Sequence, residues 1–148
     1  MFDTFHAAHW DAQSIDYAWD AAHAKADYLA SGAFVPAQNV ITGIKVDAAS
    51  WRRGDDEVFV TVPRWMAGVP ATLSIVKVAR PDADIGPTQN PVLTPWPSWE
   101  ANAIGGDCSG MQYLQSMEID NDGIMWALDV GRVNIFSGIF SGDPDNSC

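Results

Sequence analysis

Apolar and polar residues alternate with period two over residues 41–46, 58–62, 71–78, 111–119 and 124–128, the spacing of half-buried β-strands. A polar turn separates the first two runs. Asn121-Asp122-Gly123 separates the last two, and an Asp-Gly pair between alternating runs is a strong hairpin signal. Ahead of these strands, Ile15, Tyr17 and Trp19 alternate with small or polar neighbours and predict a short strand. Residues 20–31 are rich in alanine, with Asp20 placed as an N-cap and Gly32 just past the end, which predicts a helix. Residues 1–13 show no period and read as a loose lead-in. Pro81, Pro87, Pro91, Pro95 and Pro97 punctuate residues 80–110, a composition that denies long regular structure and predicts a surface excursion. The expected class is all-β with a short N-terminal helix.

The strand pattern repeats. Ile-Thr-Gly-Ile-Lys-Val-Asp at 41–47 aligns with Leu-Gln-Ser-Met-Glu-Ile-Asp at 114–120, an offset of 73 residues. Each copy then turns and re-enters a strand that ends near an arginine, Arg64 in the first and Arg132 in the second. A self-similar β unit too small to bury both of its faces has the character of a propeller blade. Residues 41–78 are therefore expected to form a three-stranded antiparallel unit, and 111–129 a hairpin packed beside it as part of the next. One full repeat and part of a second leave such a ring open, with an apolar sheet face and strand edges bare. The chain accordingly reads as a fragment of something longer.

Composition narrows the functional classes. The chain has 148 residues, is 47% apolar and carries seven tryptophans, enough for a packed core. Its 19 acidic and 8 basic residues give a net charge of −11, which argues against nucleic acid or an anionic membrane as partner. No apolar run approaches the roughly 20 residues that span a bilayer. Met1-Phe2-Asp3-Thr4-Phe5-His6 has neither the basic nor the apolar region of a signal peptide, so the start alone reads as cytosolic or truncated. No glycine-rich phosphate loop is present, and no cofactor is implied.

Candidate chemistry is sparse. Glu118, Asp120, Asp122 and Asp129, with Gly123, occupy EF-hand-like positions. The flanks alternate with period two where an EF-hand needs helices, however, so a plain hairpin turn is the expectation and no metal site is assigned. His6 and His9 stand three apart without a third ligand, and His23 has no assigned role. Gly106-Asp107-Cys108-Ser109-Gly110 is not a nucleophile elbow, and no histidine follows it to serve as a base. No catalytic residue is assigned. Trp65, Trp96, Trp99 and Trp126 could stack a flat ligand, although tryptophans beside prolines more often pack loops on a sheet. Arg64 and Arg132 end equivalent strands; they either face a ligand or bind loop carbonyls and acidic neighbours such as Asp129. Arg64, Trp65, Asp129 and Arg132 are the candidate ligand-binding residues, a partial wall of a site that several blades would complete. The two cysteines, Cys108 and Cys148, have no metal-ligand spacing and, from the residues alone, read as unpaired buried thiols or as bridge partners.

Several motifs fall in an order that resembles a known family. They are residues 38–74 with the Pro63-Arg64-Trp65 corner and Gly68-Val69-Pro70, then Pro95-Trp96-Pro97-Ser98-Trp99-Glu100, Gly106-Asp107-Cys108, and Leu128-Asp129-Val130-Gly131-Arg132-Val133-Asn134. In this order they resemble the N-terminal part of the yellow / major royal jelly protein family, over residues 14–148. The resemblance implies a secreted six-bladed β-propeller, of which this chain holds about one and a half blades, so the absent signal peptide reads as truncation. It implies that Cys108 and Cys148 take part in disulfides, with each other or with partners beyond this sequence. Functionally it implies either a non-enzymatic extracellular protein, with a small ligand of biogenic amine or catechol type, or a pigment-pathway enzyme converting dopachrome. The first is preferred because no acid–base pair or metal cluster stands in the sequence.

Overall fold

A computed structural model describes residues 8–11, 13–54, 56–79, 88–104 and 109–136. Its strands are β1 (Ala8–His9), β2 (Gly43–Lys45), β3 (Glu57–Thr61), β4 (Leu73–Lys77), β5 (Thr88–Gln89), β6 (Thr94–Pro95), β7 (Leu114–Ile119) and β8 (Met125–Asp129). Helices α1 (Lys25–Ser31) and α2 (Ala48–Arg53) and two 3₁₀ turns, Pro36–Gln38 and Glu100–Asn102, complete the described elements. Among the described residues the elements are thus mostly strands with few helices, as the period-two pattern requires.

The centre is an antiparallel sheet in the order β2-β3-β4-β6. Sequence patterning anticipated the first three strands; the fourth comes from the proline-rich stretch. Ser74 pairs with Pro95 and Ile75 with Thr94. A proline lacks the N–H that a central strand must donate, so it is tolerated at the edge, where β6 sits.

Both faces of this sheet contribute residues to a core. Val58, Val60 and Val76 point into one core with Tyr17, Phe34 and Leu93. Phe59 and Leu73, on the opposite face, pack with Leu114 and Met117 of β7. The N-terminal segment therefore covers one face and the β7–β8 hairpin the other. Alternation along β3 supplies both cores from one strand.

The residues before β2 are tied down more than their lack of period suggests. β1 pairs in parallel with β5, and Tyr17 bridges Leu93. The Trp10 indole donates to the Pro91 carbonyl at 2.9 Å. Of the expected strand around Ile15, Tyr17 and Trp19, only the Tyr17 bridge forms. α1 starts later than expected: Asp20 accepts the Ala22 and His23 amides in a turn ahead of the helix, and the N-cap is Ala24. Gly32 ends the helix at φ 76, a left-handed conformation that glycine adopts at little cost. Between β2 and β3, where a polar turn was expected, α2 forms. Asp47 accepts the Ala49 amide through Oδ1 at 2.9 Å, and Arg52 and Arg53 occupy the last turn, placements favoured at the two ends of a helix.

Asp16 gives this region a pH dependence. Partial burial alone would raise its pKa, but hydrogen bonds from the Lys25 ammonium, the Trp19 indole and the Tyr17 amide outweigh that and lower it. A lowered folded pKa means the contribution is present above the ordinary aspartate range and is lost as pH falls through the lowered value. Melting temperature followed from about pH 6 to about pH 3 is expected to fall less steeply in Asp16→Asn than in the parent chain.

A candidate functional site at the Arg64 corner

Arg64 follows β3 by three residues and is 1% exposed. Its guanidinium has five N–H donors, and each meets a carbonyl. Nε donates to Val69 at 3.0 Å, Nη1 to Met111 at 2.7 Å and Gln112 at 2.8 Å, and Nη2 to Pro70 at 2.8 Å and to Asn102. Burial depresses its pKa to about 10, with Tyr17 and Asp129 acting in the opposite sense, so the group stays cationic at neutral pH. What it supplies here is position: it ties the corner after β3, the second 3₁₀ turn and the lead into β7 together.

Asp129, at the end of β8, completes the arrangement from the far side. Its carboxylate accepts the amides of Gln112 at 2.8 Å, Tyr113 at 3.0 Å and Gly131 at 2.8 Å. The Met111 carbonyl and the Gln112 amide belong to one peptide group, and the Gln112 carbonyl and Tyr113 amide to the next. Two consecutive peptides therefore lie between guanidinium and carboxylate, each C=O turned to the cation and each N–H to the anion. This is an ion pair relayed through polarised peptides rather than a direct contact, an arrangement in which hydrogen bonds strengthen one another.

Trp65 is half-buried beside the same corner, its ring 6.1 Å from Phe136. The Asn134 and Phe136 amides donate to the carbonyls of Arg64 and Trp65. Arg132 is exposed. The fold thus brings Arg64, Trp65 and Asp129 into one neighbourhood and leaves the Arg132 side chain toward solvent.

Sequence reasoning gave no role to Asn102 or Gln112, both buried. Asn102 accepts the Thr72 and Leu73 amides and donates to the Trp96 and Ser98 carbonyls. Gln112 donates from Nε2 to the Ala103 and Gly110 carbonyls. Nothing in Ala101-Asn102-Ala103 marks that role locally, because the Thr72 and Leu73 amides that Asn102 accepts come from elsewhere in the fold.

The EF-hand-like stretch is a hairpin. β7 and β8 are antiparallel strands, and Gly123 turns at φ 81. The Asp120 carboxylate is engaged inside the turn, accepting the Asp122 and Ile124 amides and the Trp126 indole. Among the described residues no group of three or more histidine, cysteine or acidic side chains is placed to hold a metal ion. Also among them, no helix is long and apolar enough to cross a membrane. Cys108 and Cys148, the disulfide candidates, lie outside the described residues.

The two repeats meet through equivalent residues. Thr42 Oγ1 donates to the Gln115 carbonyl at 2.8 Å across 73 positions, and the Lys45 ammonium stands 2.8 Å from Glu118, also 73 positions away. Two contacts at one offset require the first strands of the copies to lie side by side and run in the same direction.

No protein-family model matches the chain. Comparison with curated proteins does find relatives. Over 121 residues, 82% of this chain, it is 33% identical to protein yellow of Drosophila subobscura and 35% identical to protein yellow of Drosophila guanche. Protein yellow of Drosophila melanogaster is 31% identical over the same length. The chain spans about a fifth of the length of these curated relatives, 19–20% of each. With the motif order of residues 38–134, these identities place the chain in the yellow / major royal jelly protein family.

Proposed function

We propose that the chain is the opening one and a half blades of a secreted six-bladed β-propeller with a non-enzymatic binding or structural role. The observation that carries the reading is the pair of same-offset contacts, Thr42 to Gln115 and Lys45 to Glu118. Units related by rotation about an axis bring equivalent inner strands together in this way, and a propeller packs its blades by such a rotation. The four-stranded β2-β3-β4-β6 sheet has the strand count of one blade. The β7–β8 hairpin has half of that, and its outer residues Trp126 and Leu128 are 63% and 80% exposed, an apolar surface of the kind a further layer covers.

The non-enzymatic part rests on how the candidate groups are used. Arg64 directs every donor at a carbonyl, and Asp129 and Asp120 hold backbone amides, so these side chains serve the scaffold. A catalytic acid or base needs reach to a reacting proton. A small ligand of biogenic amine or catechol type would meet Trp65 and Arg132 as part of a wall that other blades complete. Secretion is the expectation carried by the family.

The test compares the 148-residue chain with the protein from its full-length transcript. The short chain is expected to bind a hydrophobic dye such as ANS strongly and the long one weakly; equal, weak binding would sink the open-ring reading. Both forms are expected to leave dopachrome untouched, and turnover by either would establish the pigment-enzyme alternative instead.

A further inference from the structure

The geometry points to a second binding site, for a small organic cation with an apolar body, in the cleft between α1 and the second 3₁₀ turn. The cleft has a volume of about 370 Å³ and is lined by Tyr28, Trp99, Pro70 and Ile104, with His23 and Glu100 as its charge-bearing groups. That volume lies in the range of small-molecule pockets and accommodates a ligand with one ring.

Its aromatic wall is fixed in place. The His23 imidazole stacks on the Trp99 indole with centroids 4.6 Å apart and planes at 10°, and Trp19 stacks on the same indole at 5.3 Å and 26°. Tyr28 lies 5.8 Å from Trp99 and 5.1 Å from Trp19. Asp20 holds His23 from outside, its Oδ1 2.9 Å from Nδ1. A ligand would find this wall already assembled, so little ordering has to accompany binding.

The charge at the cleft is negative. The hydrogen bond from His23 keeps the Asp20 carboxyl below its usual range. Glu100 is lowered by its own backbone amide and then by the Ser98 hydroxyl, and it lies close enough to feel both His23 and Asp20. Two carboxylates are therefore ionised at neutral pH beside aromatic surface. No lysine or arginine is among the lining residues. The nearby cations are committed elsewhere: Lys25 pairs with Asp16, and Arg64 spends its donors on carbonyls. Carboxylates beside tyrosine and tryptophan rings attract a cation by Coulomb and ring-quadrupole terms together. An anion would be opposed there by the Asp20 and Glu100 carboxylates, and a strongly polar neutral molecule would lose water to an apolar lining. The site is built within one sheet unit and its N-terminal cover, so it does not depend on the ring being completed.

The probe is benzyltrimethylammonium, titrated by calorimetry into the chain, with benzyl alcohol as neutral and benzoate as anionic comparators of similar shape. The cation is expected to bind saturably at one site, and Glu100→Gln and Tyr28→Ala are each expected to weaken it about fivefold. Glu100 is exposed, so Glu100→Gln should retain the parent circular dichroism and keep the comparison clean. Benzoate binding as well as the cation, non-saturable heats, or an unchanged affinity in Glu100→Gln would each overturn the assignment. Because dye binding and dopachrome turnover do not report on this cleft, failure here leaves the propeller reading to its own test.

Discussion

Replacing Arg64 with methionine is expected to destabilise the chain by about 3–5 kcal/mol, the range for breaking a buried charge network. For a domain of this size that corresponds to a fall in melting temperature of roughly 10 °C or more. Methionine keeps much of the volume and removes the charge, so cavity formation contributes little. The loss comes from five carbonyls, those of Val69, Pro70, Asn102, Met111 and Gln112, left buried without donors. Lysine should fall between, since an ammonium has three donors in a compact head and cannot span a fork of five acceptors. The relay adds a sharper expectation. Arg64 and Asp129 share the peptides of residues 111–113, so Arg64→Lys and Asp129→Asn should be non-additive by about 0.5 kcal/mol or more despite lacking a direct contact. Urea unfolding of the two single variants and the double variant measures this. Strict additivity would mean that the peptides do not couple the two charges.

That coupling marks where the sequence was legible and where it was not. Strand existence was readable because β3, β4, β7 and β8 each alternate, and alternation reflects local pleat geometry. The repeat was readable for the same reason, and its offset of 73 reappears as a contact between Thr42 and Gln115. β6 was hidden: its pairing rests on two residues, Thr94 and the proline Pro95, and only the edge formed by β4 makes a strand of them. α2 left a trace in Asp47, two alanines and Arg52-Arg53, but it is six residues long, shorter than a helical period can reveal. At the site, Arg64 could be singled out by its strand end, equivalent to that of Arg132, with loop carbonyls and Asp129 among its expected partners. The pairing through the backbone could not, because it depends on the path of residues 111–113. Asn102 and His23 gave no signal, since the Thr72 and Leu73 amides of the first and the Trp99 ring stacked on the second come from other segments of the fold.

The contact between the two repeats can be tested at its tightest point, Gly43. This residue lies on β2 facing β7, and a Cβ built there would fall 3.1 Å from the Gln115 carbonyl oxygen and 3.1 Å from Ser116 Cα, and closer still to Thr61 Oγ1. Thr61 can rotate, but only by giving up its hydrogen bond to the Gln115 carbonyl. The other two obstacles are backbone and cannot yield without moving β7. Gly43 is not among the glycines at positive φ, so the demand for glycine here comes from the approach of the strands and not from its own conformation. Gly43→Ala is therefore expected to cost about 1–3 kcal/mol, the usual range for overpacking, and Gly43→Val more. The control is Gly54→Ala, at φ 103 with nothing within 4 Å of the added carbon; it strains the backbone but leaves the inter-repeat contact untouched. The Lys45–Glu118 pair distinguishes the two cases. In the Gly43 variants the strands must separate, and a Lys45→Met, Glu118→Gln cycle that shows a small coupling in the parent should show none. In Gly54→Ala the coupling should persist. A Gly43→Ala variant as stable as the parent, with that coupling intact, would mean that the equivalent strands do not pack at this distance, and the rotational relation between the repeats would go with it.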